Sequence, residues 1–342
     1  MNILIDINHP AHVHFFKNAI DLFQKKGHKI FVVARDKDVT LPLLQYYRIP
    51  YVVGSNRKSG FFQLGLELFE HTMKLMKASR TFHPDVIISF ASPMASWAAV
   101  LLGIPSIAFD DTEHAKIGAA LYQPFASAIC TPTSFWRDLG KKQYRFKGCK
   151  ALAYLHPKWF TPDPSILKTL GMEVGETFSF VRFVSWQAAH DAGQKGFSRL
   201  EKEALVEKML GFGKVILSVE NQKEPTLVGS NLSIPLFQVH NLLSYASLYF
   251  GEGGAMAIEA AVLGTPSIYV NTLSAGIIDE LENKYHLLMS FKNGAPAIIK
   301  AQEILSDPGS KALWEERRNN MLKEVDDVTT WMVDFVENYR VV

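Results

Sequence analysis

The dominant feature of this sequence is the alternation of short apolar runs with amphipathic segments of helix length. Such alternation is typical of parallel β-strands joined by crossover helices. The pattern predicts first-half strands at Asn2–Ile7, Lys29–Ala34, Pro50–Val53, Val86–Ser89, Ser106–Phe109 and Ala128–Thr131. It continues in the second half, with strands predicted at Phe178–Val184, Gly213–Val219, Leu236–Gln238, Leu248–Gly251 and Ser267–Val270. The segment Glu315–Tyr339 is predicted to be one helix. We therefore expect an α/β protein.

Length and a change of composition predict two domains. A chain of 342 residues is long for a single core and suits two open α/β halves. Three prolines between Pro157 and Pro164 make that stretch too stiff and too poor in N–H donors for a central strand. We place the linker there. The prediction is an amino-terminal Rossmann-like domain (1–160), a carboxyl-terminal one (161–322) and a closing helix (323–342) that packs back toward the first. Ligands are expected in a cleft at the carboxyl ends of the strands.

Composition narrows the function classes. Apolar residues make up 48% and charged residues 20% of the chain, and the net charge of +2 gives no reason to expect a nucleic-acid partner. The two cysteines, Cys130 and Cys149, form no CxxC motif, so neither a disulfide framework nor a structural zinc site is indicated. The start MNILIDINHP lacks the pattern of a signal peptide, and no apolar run reaches the ~20 residues of a membrane span. We expect a cytoplasmic protein.

The segment FGEGGAMAIEAAVLGTPSIYV, residues 250–270, predicts a strand, a glycine turn, a helix from Ala255 and a second strand. Glycine amides and the positive end of a helix are suited to bind a diphosphate. Glu259, about one turn into the helix, is placed to accept hydrogen bonds from ribose hydroxyls. The alternative is a plain tight turn with a solvated glutamate, which explains the glycines but not a carboxylate in an otherwise apolar helix.

This segment resembles the nucleotide-binding segment of GT-B enzymes, a group that includes the N-acetylglucosaminyltransferase that makes lipid II and the non-hydrolysing UDP-N-acetylglucosamine 2-epimerases. The resemblance implies that Gly253, Gly254, Ala255 and Glu259 bind a nucleotide sugar. The motifs DINHPAHVHFFKN, FDDTEHA, KALAYLHP, RFVSWQAAHDAGQKGF and GEGGAMAIEAA also resemble a bacterial and archaeal family of unknown function. That resemblance covers both halves and implies two Rossmann-like domains facing across a cleft, with the donor in the second.

Two strand ends of the first half carry candidate catalytic groups. NHPAHVHFF places His9, His12 and His14 after the first strand, and imidazole can take a proton from a hydroxyl near neutral pH. We choose His12, with His9 second, as the candidate base. The alternatives are hydrogen bonds to loop backbone and, less supported without cysteines or HExxH, a zinc site.

FDDTEHAK follows another strand and offers Asp111 or Glu113 as a second candidate base. The alternative is a capping cluster that opens the next helix. Glu113 and His114 loosely match a catalytic motif of the 2-epimerases. However, SFASPMAS has no acid where those enzymes carry an aspartate, and this argues against epimerisation.

RFVSWQAAHDAGQKGF leaves the first strand of the second half, where GT-B enzymes often place cations against the donor phosphates. The candidates are Arg182, Ser185, His190 and Lys195. His190 also matches an epimerase histidine, and Lys195 has the alternative of a solvated surface charge. The scheme requires neither a metal nor a cofactor.

Two basic and apolar segments, NRKSGFFQLGLELFEHTMKLMKASR and KKQYRFKGCK, suggest peripheral contact with the inner face of a membrane and an acceptor carried by lipid. The alternative is a helix that packs its apolar face on the sheet.

Together with these patterns, the resemblance to GT-B enzymes implies a metal-independent glycosyltransferase that moves a sugar from a nucleotide donor to an acceptor hydroxyl in cell-surface polysaccharide or glycolipid synthesis. The expectation of a UDP-sugar donor comes from the resemblance alone. The alternatives are a 2-epimerase and a non-catalytic nucleotide-sugar binder. A classical dehydrogenase is disfavoured because Asp6-Ile-Asn-His-Pro-Ala replaces GxGxxG.

Overall fold

The structure is a computed structural model that describes residues 1–57, 60–183, 199–219, 230–231 and 236–340. The strands are β1 (Asn2–Ile7), β2 (Lys29–Asp36), β3 (Val52–Asn56), β4 (Val86–Phe90), β5 (Ser106–Phe109), β6 (Ala128–Pro132), β7 (Gln143–Phe146), β8 (Phe178–Phe183), β9 (Lys214–Val219), β10 (Ser230–Asn231), β11 (Leu248–Gly251), β12 (Ser267–Val270) and β13 (Leu288–Phe291).

The helices are α1 (Pro10–Lys25), α2 (Thr40–Tyr46), α3 (Phe61–Phe82), α4 (Pro93–Leu102), α5 (Lys116–Tyr122), α6 (Leu152–Leu155), α7 (Ser165–Thr169), α8 (Arg199–Leu210), α9 (Val239–Tyr245), α10 (Gly254–Leu263), α11 (Gly276–Asn283), α12 (Gly294–Ser306), α13 (Ser310–Leu322) and α14 (Val328–Asn338). Short 3-10 turns occur at Gly140–Lys142 and Leu236–Gln238. The latter segment was expected to be a strand.

The chain forms two compact units. Unit 1 comprises Met1–Trp159 and Asp326–Val342, and unit 2 comprises Phe160–Val325. Unit 1 contains a parallel sheet in the order β3-β2-β1-β4-β5-β6-β7. β2 and β3 are added on one side of β1, and β4 to β7 on its other side, so the strand order changes direction between β1 and β4 although these two strands are parallel. Open α/β sheets bind ligands at the strand ends next to this position.

The core of unit 1 explains its strands and helices. β1 and β4 are apolar along almost their whole length because both faces of a parallel sheet are covered by helices. On one face α3 packs on α4, and Leu75, Met94 and Ala98 form a cluster with Leu4 and Ile87 of the sheet. α1 and α14 pack against each other elsewhere in the unit.

The carboxyl-terminal segment is two helices rather than the one that was predicted. α13 ends at Leu322, and α14 begins after Asp327, whose carboxylate accepts a hydrogen bond from the Thr330 amide at 3.2 Å. This N-cap interaction explains the break. The aromatic rings of Trp331 and Phe335 stack at 5.1 Å, and Tyr144 of β7 lies against Phe335.

Unit 2 repeats the same topology, with its described strands in the order β10-β9-β8-β11-β12-β13, all parallel where they pair. The strand order changes direction between β8 and β11, which are themselves parallel. Two parallel sheets of Rossmann-like order confirm the predicted α/β fold class. In the described part of the chain, no helix combines the length and hydropathy needed to cross a bilayer.

Candidate functional site

In unit 2, the loop between β11 and α10 presents an uncapped helix end. Gly253 is the N-cap residue and makes no side-chain capping hydrogen bond, and α10 begins at Gly254, one residue earlier than predicted. The first amides of a helix have no partner within the helix, and a glycine N-cap has no side chain that could replace one. This end of α10 is therefore suited to bind an anion such as a phosphate.

The path of this loop requires glycine at position 251. A Cβ there would lie 2.3 Å from the Tyr249 hydroxyl oxygen and 3.0 Å from the Arg182 carbonyl oxygen. Tyr249 is fully buried, and its hydroxyl donates to the Gly253 carbonyl at 3.4 Å. The loop is fixed further on both sides, since the Glu252 amide donates to the Arg182 carbonyl at 3.2 Å and the Asn271 side chain donates to the Glu252 carbonyl at 3.0 Å.

Glu259, the carboxylate singled out in the sequence, has a partner that the sequence did not reveal. His240 of α9 places its Nε2 3.3 Å from Glu259 Oε1, and both side chains are largely buried. α9 packs on α10. His240 thus holds the carboxylate in place near the start of α10. The signal was available only in the stretch VHNLLSY, which shows a lone histidine in an apolar helix.

Of the cations and polar groups predicted to face the donor phosphates, one lies within the described residues. Arg182 is on β8, beside Gly251 in the sheet register, and its guanidinium donates to Ser218 Oγ at 2.7 Å. Ser185, His190 and Lys195 lie outside the described residues.

In unit 1, a buried acid connects the ends of β1 and β4, the two strands between which the strand order changes direction. Asp6 of β1 is fully buried. Its carboxylate accepts hydrogen bonds from His71 Nε2 at 2.8 Å, from Ser92 Oγ at 2.5 Å and from Asn8 Nδ2 at 2.7 Å. Ser92 is also the N-cap of α4. A buried carboxylate is tolerated when several donors satisfy it, so Asp6 ties the loop after β1 to the loop after β4.

This network continues away from the loops. His71 Nδ1 lies 2.9 Å from Ser55 Oγ, and Ser55 Oγ lies 3.4 Å from Glu67 Oε1. The guanidinium of Arg35 donates to both Glu67 oxygens, at 2.9 Å for the Nη2 to Oε2 bond. β1, β2, β3 and α3 are therefore joined by polar side chains. The sequence analysis missed this network, although an aspartate in the apolar run NILIDI and the Glu67 and His71 pair at helical spacing were visible signals.

The two histidines before and inside α1 are held neutral. Burial, together with the positive charges of Lys37 and Lys150, lowers the pKa of His9 from its ordinary 6.5 to about 4. Burial lowers the pKa of His12 well below its ordinary value, and His9 and the two lysines add to the effect. His9 Nδ1 accepts from the Ala11 amide at 3.2 Å and His12 Nδ1 from the Asn8 amide at 3.4 Å. Each neutral ring therefore carries its proton on Nε2.

Lys150 connects these histidines to the acidic segment after β5. Its ammonium lies 2.9 Å from Asp111 Oδ2 and 4.8 Å from the ring centre of Phe90, which stacks on His12 at 4.9 Å. Three predicted residues, His9, His12 and Asp111, are thus in one cluster with Lys150. Lys37 was not singled out in the sequence, and Lys150 was noted only as part of the basic segment KKQYRFKGCK, because their positions beside the histidines depend on the tertiary fold.

The other predicted groups of this region have different neighbours. Glu113 is buried and accepts from the Trp136 amide at 3.4 Å. Asp110 accepts from the Thr112 amide at 2.9 Å and from the Tyr122 hydroxyl, and burial raises the pKa of Asp110 to about 6. His14 contacts Tyr47, whose hydroxyl lies 3.3 Å from its Nδ1. Among the residues that the structure covers, no group of three or more His, Cys, Asp or Glu is arranged to hold a metal ion.

Comparison with known proteins places this geometry in context. The family model described as "Protein of unknown function (DUF354)" matches residues 1–341. A relative, the uncharacterized protein MJ0665 of Methanocaldococcus jannaschii, is 24% identical over 279 residues, which span 78% of this chain and 81% of that protein.

Two solved structures of similar fold have different activities. Spinosyn forosaminyltransferase SpnP is 13% identical, with a TM-score of 0.67 and coverage of 99% of this chain and 100% of that one. The UDP-GlcNAc 2-epimerase from Neisseria meningitidis bound to UDP-GlcNAc is 12% identical, with a TM-score of 0.70 and the same coverage. At such identities the similarity shows the fold, and the GT-B fold implied by the sequence motifs is confirmed.

Proposed function

The chain belongs to the family of proteins of unknown function DUF354, and from the GT-B fold and the β11–α10 loop we propose that it is a glycosyltransferase with a nucleoside-diphosphate sugar as donor. Unit 2 holds the donor. The acceptor hydroxyl is bound at the strand ends of unit 1. A UDP-sugar is the proposed donor, in line with the UDP-GlcNAc bound to one structure of similar fold.

One observation carries the proposal: the uncapped amino end of α10 with Glu259 held nearby by His240. Gly254 and Ala255 offer amides to the diphosphate, and Arg182 adds a cation from the neighbouring strand. Glu259 accepts hydrogen bonds from the ribose hydroxyls. His240 restricts the carboxylate to one position, which reduces the side-chain entropy lost on binding.

The chemical step moves one proton and one glycosyl group. The base takes the proton of the acceptor hydroxyl, the acceptor oxygen bonds to the anomeric carbon, and the bond from that carbon to the diphosphate oxygen breaks. The nucleoside diphosphate leaves with the electron pair, and the helix end stabilises its charge.

His12, Asp111 and Glu113 remain the candidate bases. The geometry favours Asp111, because its carboxylate oxygens are acceptors and one of them lies 2.9 Å from the Lys150 ammonium, whereas His12 carries its proton on Nε2 and would first have to change tautomer. In this scheme the Nε2–H groups of His9 and His12 donate hydrogen bonds to the acceptor.

The donor site is tested by thermal unfolding with UDP and with inorganic pyrophosphate. UDP at 100 times its Kd should stabilise the protein by about 2.7 kcal/mol. Glu259→Gln should weaken UDP binding about 10- to 100-fold, the effect of losing hydrogen bonds to a charged group, and should leave pyrophosphate binding unchanged. The matched control is Glu303→Gln, because Glu303 is an exposed carboxylate of α12 that pairs with Lys300. Equal loss of UDP and pyrophosphate binding would remove the ribose role, and no binding of either would remove the donor site.

A 2-epimerase is the second candidate, because an enzyme of that class shares the fold at a TM-score of 0.70. Product analysis separates the two. Release of nucleoside diphosphate only in the presence of an acceptor supports transfer, whereas solvent deuterium incorporated at C2 of the sugar supports epimerisation. Tight binding with neither product identifies a nucleotide-sugar binder.

A further inference from the structure

The part of helix α3 from Leu66 to Met73 has an inverted distribution of side chains, whereas Leu75 farther along packs in the core. Its inner side buries Glu67 and His71, which belong to the Asp6 network. Its outer side exposes Leu66, Phe69 and Met73, with exposed fractions of 61%, 66% and 45%. Spacings of three and four residues align these three on one line along the helix. A helix that only packs on its sheet would have the opposite arrangement.

The same outer surface continues over the next two helices. α3 packs against α4, and α4 packs against α5. Val100 and Leu101 are exposed on α4, Ile117 and Leu121 on α5, and Phe125 just after it. Single exposed apolar side chains are ordinary, but eight of them over three adjoining helices are not. We call this set the α3–α5 face: Leu66, Phe69, Met73, Val100, Leu101, Ile117, Leu121 and Phe125.

Charge indicates what covers this face. Of the charged residues exposed on the three helices, Lys74, Lys77, Arg80 and Lys116 are basic, Glu70 is acidic, and α4 has none. Pairing with a second copy of the face would bring like charges together. An anionic bilayer accepts apolar side chains at the boundary between headgroups and acyl chains, and its phosphates attract the lysines and the arginine.

We propose that the α3–α5 face docks unit 1 on an anionic membrane surface. This surface differs from the one suggested by the sequence. Leu75 belongs to the core and Lys150 pairs with Asp111, whereas α4 and α5 contribute exposed apolar residues. The protein lies on the bilayer without spanning it. The inner side of α3 carries the Asp6 network to the loop after β1, so the helix that meets the lipid also supports the proposed acceptor site. The docking itself does not depend on the donor chemistry.

The test is flotation with phosphatidylcholine vesicles, with and without phosphatidylglycerol. The wild-type protein should float with the anionic vesicles, and binding should fall as salt is raised. Leu66→Ser/Phe69→Ser should reduce the bound fraction at least about tenfold, because two large apolar side chains no longer leave water. Lys74→Glu/Lys77→Glu should reduce it by a similar factor on the anionic vesicles. The control pair Leu200→Ser/Ile299→Ser changes exposed apolar residues of unit 2 and should bind as wild type.

The variants are checked for folding by thermal unfolding and for donor binding by the stabilisation that UDP gives. For the wild-type protein, no flotation with anionic vesicles while UDP still binds overturns the docking proposal alone, and flotation without UDP binding overturns the donor proposal alone. Wild-type protein that does not bind anionic vesicles, or flotation that neither face variant changes, refutes docking. A dimer in sedimentation that Leu66→Ser/Phe69→Ser dissociates also refutes it, because the face then belongs to a second copy.

Discussion

Gly251→Ala tests the geometry of the proposed donor loop most directly. The added Cβ would lie 2.3 Å from the Tyr249 hydroxyl oxygen, 2.8 Å from the carbon that carries it and 3.0 Å from the Arg182 carbonyl oxygen. Tyr249 has no room to turn away because it is fully buried. Its ring and hydroxyl must therefore shift, and with them the Gly253 carbonyl that the hydroxyl contacts.

Overpacking of this kind costs about 1–3 kcal/mol. For a folding unit of about 150–250 residues, such as unit 2, each kcal/mol lowers Tm by about 2–4 °C, so we expect a loss of about 2–12 °C in calorimetry. The stabilisation by UDP should fall as well, since the shifted loop includes the N-cap of α10. The measurement is Tm with and without saturating UDP.

Gly254→Ala is the matched control. A Cβ there meets the Tyr269 hydroxyl at 3.5 Å, an ordinary contact, and alanine suits the first turn of a helix. We expect its Tm to remain close to wild type. Adding Tyr249→Phe to Gly251→Ala removes the nearest atom and should recover part of the loss. The reasoning is refuted if Gly251→Ala is as stable as Gly254→Ala, or if the double variant is less stable than the two single effects predict together.

Two further predictions concern titration in unit 1. Burial raises the pKa of Asp110 from 3.8 to about 6, so between these pH values the folded state holds a proton that the unfolded state has lost. Asp110 therefore destabilises the fold increasingly as pH rises from about 4 to above 6. Asp110→Asn should raise the free energy of unfolding by up to roughly 3 kcal/mol at pH 8 but little at pH 4, as measured by urea unfolding. His9 has the opposite shift, to about 4, so its contribution is complete above pH 6.5 and is lost as pH falls toward 4. The imidazole of His9 should stay neutral at pH 5.5, as measured by NMR. The variant His9→Asn keeps a capping oxygen, and it should lose less stability than the wild-type protein between pH 6.5 and pH 4.

The strands that the sequence predicted well are those buried on both faces of a sheet. β1 has the predicted bounds and β5 does too, because a short apolar run is sufficient to identify a central parallel strand even when one polar residue such as Asp6 interrupts it. β7 and β13 were missed, since both are short and half-exposed and show no such run. The break at Asp327 depends on one capping hydrogen bond, which the pattern of Glu315–Tyr339 does not reveal.

The candidate site also combines residues that the sequence reveals with residues that only the tertiary fold brings together. Glu259 was identifiable because a carboxylate stands alone in an apolar helix, but its partner His240 comes from another helix and is fixed only by packing. α3 was the least predictable element. Periodicity shows that a helix has two faces, and the usual assumption turns the apolar one inward, whereas here Glu67 and His71 are buried. That orientation follows from Asp6, which lies on strand β1 and forms a hydrogen bond with His71.

Asp6 also accounts for the unusual chemistry of the loop after β1. A phosphate-binding loop at this position uses glycines so that backbone amides can converge on the anion. Here Pro10 removes an amide, and the Asn8 and Ala11 amides donate to His12 and His9 instead. The loop is held by side chains, through the bond from Asn8 to Asp6. Its side-chain donors include the imidazole Nε2–H groups, which suit a neutral hydroxyl better than a phosphate. In the proposed function, the diphosphate is bound instead at the amino end of α10 in unit 2.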